Sequence, residues 1–275
     1  MNEKNKNLIV RTVSSLTLLP VVLFLLYMGG VYSAALLGVA AAICASEYYS
    51  ITQKQLSPAA WVGILIAGLL PFLPLRDPVR AGEMSFWLTA FFLLFAFAYH
   101  LIRGPLQDAP VRVAHMVTGL LYGSAGMTAL SSLRLMQDGN AWCVAALTIT
   151  WSNDTSAYFA GRFLGRHKLY PEVSPNKTWE GFAGGMVGSV IGMFVARGFF
   201  FPVFTVTDCL LLGIFGGIFG PMGDLVESML KRAYGVKDSG RIIPGHGGIL
   251  DRIDALLFNA PLVFVYVTFF RGLLP

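Results

Sequence analysis

The sequence predicts an all-α, polytopic integral membrane protein, with about nine transmembrane helices and a polar site facing the cytoplasm. Three observations carry that expectation. The 275 residues have a mean hydropathy of +0.65 and are 55% hydrophobic, well outside the range of a soluble globular domain. Apolar stretches of 17 to 23 residues recur along the chain, each long enough to cross roughly 30 Å of hydrocarbon. Only 13% of the residues are charged, and most of those fall between the stretches.

Taken in order, the expected spans are approximately 13–29, 31–49, 59–75, 84–102, 114–132, 141–161, 181–200, 206–226 and 255–272. The first lacks a small-residue cleavage site and is followed by further apolar segments, so it reads as a retained span. The second ends near Glu47, which reads as an interfacial residue. No hydrophilic block is long enough for a separate soluble domain. The chain reads as a single membrane domain over 1–275, with N-terminal helices to residue 140 and polar residues entering the spans over 141–275. Two late spans carry glycines four apart: Gly181, Gly184, Gly185, Gly188 and Gly192 in one, Gly213, Gly216, Gly217 and Gly220 in the other. That spacing lets helix backbones approach closely, either within one chain or across a dimer. Cys44, Cys143 and Cys209 lie in apolar stretches without a CxxC spacing, and read as small buried hydrophobes.

The positive residues give an orientation. A cytoplasmic N-terminus places fifteen Lys and Arg residues inside and only five outside: Arg76, Arg80, Arg134, Arg197 and Arg271. That asymmetry satisfies the positive-inside rule. It also puts two polar loops, 162–180 and 227–254, on the cytoplasmic side.

Three clusters carry chemistry. In the sixth span, Asn153 and Asp154 sit near the middle of an otherwise spanning segment. A carboxylate there is costly unless it faces a partner or a polar cavity. In "VSPNKTWEG", residues 173–181, Pro175 disfavours helix at Ser174, and Ser174 or Asn176 is placed to cap the helix that follows. Lys177, Thr178 and Glu180 then lie near a helix N-terminus, a setting suited to anions. In "GPMGDLVESMLKR", residues 220–232, Asp224, Glu227 and Ser228 share one helical face with Lys231.

The third cluster continues into "KRAYGVKDSGRIIPGHGGILDRID", residues 231–254, where eight charged residues and a histidine occupy 24 positions. Asp251 and Asp254 are three apart and point the same way on a helix, so together they suit a hard cation. Gly245, Gly247 and Gly248 around His246 permit backbone close to a ligand. Lys231, Arg232, Lys237, Arg241 and Arg252 supply cations for phosphate. Carboxylates combined with lysines and arginines compose a site for Mg²⁺ and polyphosphate. A Walker GxxxxGK[ST] pattern, a zinc-ligand pattern and a plausible Ser-His-Asp arrangement are all absent from the sequence.

The run S-x-x-K-R-x4-K-D-x4-I-P-x-H-G-G-x-x-D-R-x-D, Ser228 through Asp254, resembles the signature of the phosphatidate cytidylyltransferases, or CDP-diacylglycerol synthases. "SNDTSAYFAGRFLG" and "SPNKTWEG" upstream are similar to the same family. The resemblance covers about residues 150–260. It implies a reaction in which CTP and phosphatidic acid give CDP-diacylglycerol and pyrophosphate, with Mg²⁺ required and room for a second cation. It implies substrates from the cytoplasm and the lipid bilayer, an inner-membrane location, a homodimer in the family's manner, and no nucleic-acid partner. By matching positions, Asp224, Asp251 and Asp254 are expected in the metal region. Lys177, Lys231, Arg232, Lys237 and Arg252 are expected on phosphates. His246, Gly247 and Gly248 are expected to shape the loop, and Ser174, Ser228, Asn153 and Asp154 to contact substrate. A membrane lipid or polyprenol kinase is the competing enzyme reading. A transporter with glycine-broken helices is the competing reading from another class. The aspartate-rich DGxxAR pattern of CDP-alcohol phosphotransferases is not present.

Overall fold

Each expected span corresponds to a helix in the computed structural model, which describes residues 17–53, 55–242 and 247–273. The helices are α1 (Thr17–Met28), α2 (Gly30–Thr52), α3 (Pro58–Leu69), α4 (Leu73–Arg76), α5 (Ala81–Arg103), α6 (Ala109–Leu135), α7 (Gly139–Leu164), α8 (Trp179–Phe199), α9 (Val206–Ala233) and α10 (Leu250–Phe269). Among the described residues six segments are long and apolar enough to cross a membrane: α2, the Pro58–Arg76 segment, α5, α8, α9 and α10. Helices α6 and α7 are long enough but more polar. Helix α7 places Thr148, Thr150, Ser152, Asn153, Asp154, Thr155 and Ser156 in its middle.

One expected span is not continuous. Pro71 and Pro74 each lack an N–H and crowd the preceding turn, so the third span breaks into α3, a 3₁₀ turn over Leu70–Phe72, and α4. The fold also contains a small antiparallel ribbon in an otherwise helical chain. Strands β1 (Lys168–Tyr170) and β2 (Ser174–Thr178) pair in the segment between α7 and α8.

The chain divides into two compact units. The first comprises residues up to Leu135 together with Val236–Arg252. In it, α2 packs on α6 where Gly119 and Gly123 leave no room for a side chain against Tyr48, Tyr49 and the α2 backbone at Ala45. The Tyr49 hydroxyl donates to the Met116 carbonyl at 2.6 Å, and the Ser131 hydroxyl to the Pro71 carbonyl at 2.6 Å. Arg134 donates to the Leu26 and Tyr27 carbonyls at 2.9 and 2.7 Å, satisfying acceptors that the end of α1 leaves without helical donors.

The second unit comprises Met136–Gly235 and the chain from Ile253. Its core is glycine-mediated. Gly184, Gly188 and Gly192 of α8 lie against Ala160, Ser156 and Ser152 of α7. Gly213 and Gly217 of α9 lie against Val190 and Met186 of α8. The glycine rows thus serve tight packing within the chain. A capping box of Thr205 and Asp208 starts α9. The buried Asp208 carboxylate also accepts from the Tyr266 hydroxyl at 2.7 Å and pairs with Arg271 at 3.7 Å. The three cysteines are buried and form no disulfide, as expected for small hydrophobes.

Candidate active site

The polar cavity of the second unit is built on a proline. Pro221 sits inside α9 and has no N–H to offer the carbonyl four residues earlier, that of Gly217. A buried carbonyl without a donor is costly. The Asn153 side chain of α7 supplies one, donating to Gly217 O at 3.2 Å and to the Ser189 hydroxyl at 3.2 Å. Asn153 is buried. It joins α7, α8 and α9 at one point and so sets where the next residue, Asp154, lies.

Asp154 lines an open cavity of about 510 Å³ together with Tyr158, Arg162, Lys177, Pro221 and Asp224. Asp154, Tyr158 and Arg162 follow at i, i+4 and i+8 on one face of α7. Arg162 donates to the Tyr158 hydroxyl at 2.6 Å and lies over its ring at 5.9 Å. Across the cavity, Lys177 on β2 pairs with Asp224 on α9 at 2.7 Å. The Ser228 hydroxyl donates to the other Asp224 oxygen at 3.2 Å. Asp254, on α10, lies in the electrostatic field of Asp224, Asp154 and Lys177. Three carboxylates and one lysine thus share the cavity and its edge.

The ribbon places Lys177. Glu180, in the first turn of α8, accepts from the Arg166 and His167 N–H groups at 3.1 and 3.3 Å and bonds the His167 ring at 2.6 Å. Together with the strand pairing this ties down the segment between α7 and α8. The cap of α8 is Thr178, whose hydroxyl accepts from Gly181 N–H at 3.1 Å. That corrects the expectation of a cap at Ser174 or Asn176. Both are taken into β2, because strand pairing supplies their backbone partners before the helix begins.

The loop after α9 is held in the first unit by Glu47. This residue is buried, at 3% exposure, rather than at a surface as its position near a span end suggested. Its carboxylate accepts from Ile249 N–H at 3.0 Å, Leu250 N–H at 2.8 Å and the Ser239 hydroxyl at 3.0 Å. An acid at the start of α10 meets orphan N–H groups and the positive end of the helix dipole. Asp251 closes the same loop. One of its oxygens accepts from Ser239 N–H at 2.8 Å and Gly248 N–H at 2.9 Å and lies 2.8 Å from the Ser239 hydroxyl, whose single proton it shares with Glu47. Gly248 is buried, and a Cβ there would collide with the Ser239 hydroxyl and the Glu47 carboxylate. Gly247 adopts φ +83, which L side chains rarely tolerate.

Comparison with known proteins gives the family. A family model described as the cytidylyltransferase family matches residues 9–270. The chain belongs to the cytidylyltransferase family. A phosphatidate cytidylyltransferase of Staphylococcus haemolyticus (strain JCSC1435) is 36% identical over 262 residues, 92% of this chain and 96% of the relative. One from Bacillus subtilis (strain 168) is 49% identical over 140 residues, 50% of this chain and 51% of the relative. One from Staphylococcus epidermidis (strain ATCC 12228 / FDA PCI 1200) is 49% identical over 126 residues, 46% of this chain and 48% of the relative.

For this cytidylyltransferase-family chain, the sequence-derived candidates fall into separate groups. Asn153, Asp154, Lys177 and Asp224 line the second unit's cavity. Ser228 bonds Asp224, and Lys231 pairs with Glu227 at 2.9 Å one turn further on. Arg232 is exposed and Ser174 is half-buried in β2. Lys237, Gly247, Gly248, Asp251 and Arg252 belong to the first unit's loop, where Lys237 and Arg252 are exposed. His246 lies outside the described residues. Sequence reasoning missed Tyr158 and Arg162, although their i+4 and i+8 spacing from Asp154 was a usable signal. It also missed Glu47 as the anchor of the loop, for which no local signal exists.

The donor chemistry of the second unit suits a hard cation, since all three acids offer oxygen. Among the described residues, no three His, Cys, Asp or Glu side chains are close enough to cage a metal by themselves. Mg²⁺ is commonly held by one or two carboxylates plus substrate phosphates, and the cavity fits that mode.

Proposed function

We propose that this chain transfers a cytidylyl group from CTP to phosphatidic acid, giving CDP-diacylglycerol and pyrophosphate, at the cytoplasmic face of a bacterial inner membrane. Nine spans with a cytoplasmic N-terminus and a homodimer complete the reading. The single observation that carries it is the cavity of Asp154, Lys177 and Asp224 in a chain of apolar helices. Charge of that density among apolar helices is expensive in a membrane, and a polyanionic ligand with its cation accounts for it. The names of the relatives support the choice of substrates.

The chemistry asks little covalent work of the protein. A phosphate oxygen of phosphatidic acid forms a bond to the α-phosphorus of CTP, the bond from that phosphorus to the bridging oxygen breaks, and pyrophosphate leaves with the electron pair. The attacking oxygen is already anionic, so neither a strong base nor a covalent enzyme intermediate is needed. What remains is to bring two polyanions together and stabilise charge, by positioning and electrostatics.

Mg²⁺, held by Asp224 and Asp254, would neutralise phosphate charge and polarise the phosphoryl oxygens. Lys177, drawn from its pair with Asp224, meets a phosphate. Asp154 and Asn153 set the cavity's polar wall, and Ser174 and Ser228 offer hydroxyls to substrate. Lys231, Arg232, Lys237 and Arg252 supply further phosphate contacts. His246, Gly247 and Gly248 shape the loop. Asp251 holds that loop closed, and its place in the metal region is the assignment most open to test.

The experiment uses purified protein in detergent, phosphatidic acid micelles, radiolabelled CTP and Mg²⁺. One-to-one, Mg²⁺-dependent formation of labelled lipid and pyrophosphate is expected. No labelled lipid from folded protein would overturn the reading, and ATP with unphosphorylated lipid would then test for a kinase.

A further inference from the structure

The first unit holds a second polar cavity that the proposed reaction does not use. It measures about 370 Å³ and lies where the ends of α2 and α5 meet the start of α6. Its lining includes Gln53, His100, Arg103, Arg112 and His115, and no carboxylate. Two arginines and two imidazoles without an acid among them make a setting for an anion.

Three polar atoms at this cavity are buried without partners. His100 is buried, at 6% exposure, and its Nε2 has no hydrogen-bond partner. Arg112 Nε and Gln53 Nε2 are likewise buried and without partners. Gln53 is oriented by its own backbone turn, its Oε1 accepting from Ser57 N–H at 3.3 Å, which leaves the amide nitrogen for another acceptor. Arg112 Nη2 donates to the Pro105 carbonyl at 3.5 Å and lies 3.6 Å from Asp108, a carboxylate that is 75% exposed, and Nε is left for another acceptor. Buried donors without acceptors are costly. Two such donors, Arg112 Nε and Gln53 Nε2, with an imidazole nitrogen that donates in one tautomer, mark a place built for an acceptor-rich, negatively charged group.

We propose that this cavity binds a phosphate monoester, with Arg103 and Arg112 carrying the charge and Gln53 and His100 completing the hydrogen bonds. Arginine's planar fork suits phosphate oxygens better than a point charge does. A phosphate of this kind has two sources, the headgroup of an anionic lipid or a free phosphate compound. The volume accommodates the group in either case. The site stands on residues of the first unit alone and does not rest on the reaction proposed above.

Calorimetric titration of the full-length protein in detergent tests it, with dioctanoyl phosphatidic acid and inorganic phosphate as separate probes and CTP absent. Wild type, Arg103→Gln, Arg112→Gln and Lys177→Met are compared. We expect one binding event that weakens about tenfold in either arginine variant, the loss of a charged hydrogen bond, and that persists in Lys177→Met, distinct from substrate binding at the Asp154, Lys177 and Asp224 cavity, which Lys177→Met weakens and the arginine changes leave alone. CTP-dependent turnover at saturating substrate should stay unchanged in Arg103→Gln. Binding of the lipid alone would assign a headgroup; equal binding of both probes would assign a free phosphate compound. No such event, or one unaffected by both arginine changes, overturns the proposal. Arg103 is exposed, so its variant carries the test if Arg112→Gln does not fold.

Discussion

Two groups of acids, one in each unit, are treated in opposite ways. In the first, Glu47 meets two backbone N–H groups and a hydroxyl, and one Asp251 oxygen meets two N–H groups and the same hydroxyl. In the second, Asp154, Asp224 and Asp254 lie in one another's field with Lys177 as counter-charge, beside an open cavity. An acid surrounded by donors is a fastener. Acids grouped with one another are tolerated only where something else completes them. The position of a carboxylate in a span therefore says less than what the fold sets opposite it.

The sharpest test of that contrast is Asp224→Asn. It should lower turnover by about 10²- to 10³-fold, the scale of removing one preorganised electrostatic contact, and leave the melting temperature within a few degrees. Equal loss of activity and stability would break the distinction. Glu47→Ala should do the reverse in order of cause. It leaves buried donors without an acceptor, at about 1–3 kcal/mol, and should expose Val236–Ile249 to protease with a fall in Tm. An unchanged proteolysis pattern would remove Glu47 as the fastener.

Asp251→Asn sharpens the comparison within one loop. If Asp251 is a fastener alone, stability falls and the apparent Mg²⁺ requirement is unchanged. If it belongs to the metal region, the Mg²⁺ concentration for half-maximal activity rises, and titration of activity against Mg²⁺ decides. Gly188→Val should cost about 1–3 kcal/mol by overpacking against Ser156, read as a lower Tm with the cavity's substrate affinity little changed. The smallest effect belongs to Thr178→Ala, about 1 kcal/mol from the lost cap of α8, seen as a modest fall in Tm.

Much of this was legible in the sequence because it is local. Spans follow from runs of apolar residues. The shared face of Asp224, Glu227, Ser228 and Lys231 follows from helical periodicity, and the structure shows both i, i+4 bonds along it, Ser228 to Asp224 and Lys231 to Glu227. The grouping of Asp154, Lys177 and Asp224 was not legible from spacing, because 70 residues separate its ends. Only their expected common side of the membrane, their composition and the family resemblance joined them. The caps show the limit at short range. Ser174 and Asn176 have the right chemistry to start α8, yet strand pairing competes for the same residues and moves the cap to Thr178.

By itself, the sequence determined that this is an apolar, largely helical chain with its polar chemistry concentrated after residue 150. Hydrophobic length and charge placement are properties of each segment and need no partner. Tertiary structure alone decided that Asn153 serves the carbonyl freed by Pro221, that Glu47 anchors a loop some 190 residues away, and that Gln53, His100 and Arg112 surround a cavity. The first two are matches between a donor and an acceptor from distant segments and the third is a meeting of polar atoms still without one, and burial, by removing water as the alternative partner, makes such pairings binding constraints.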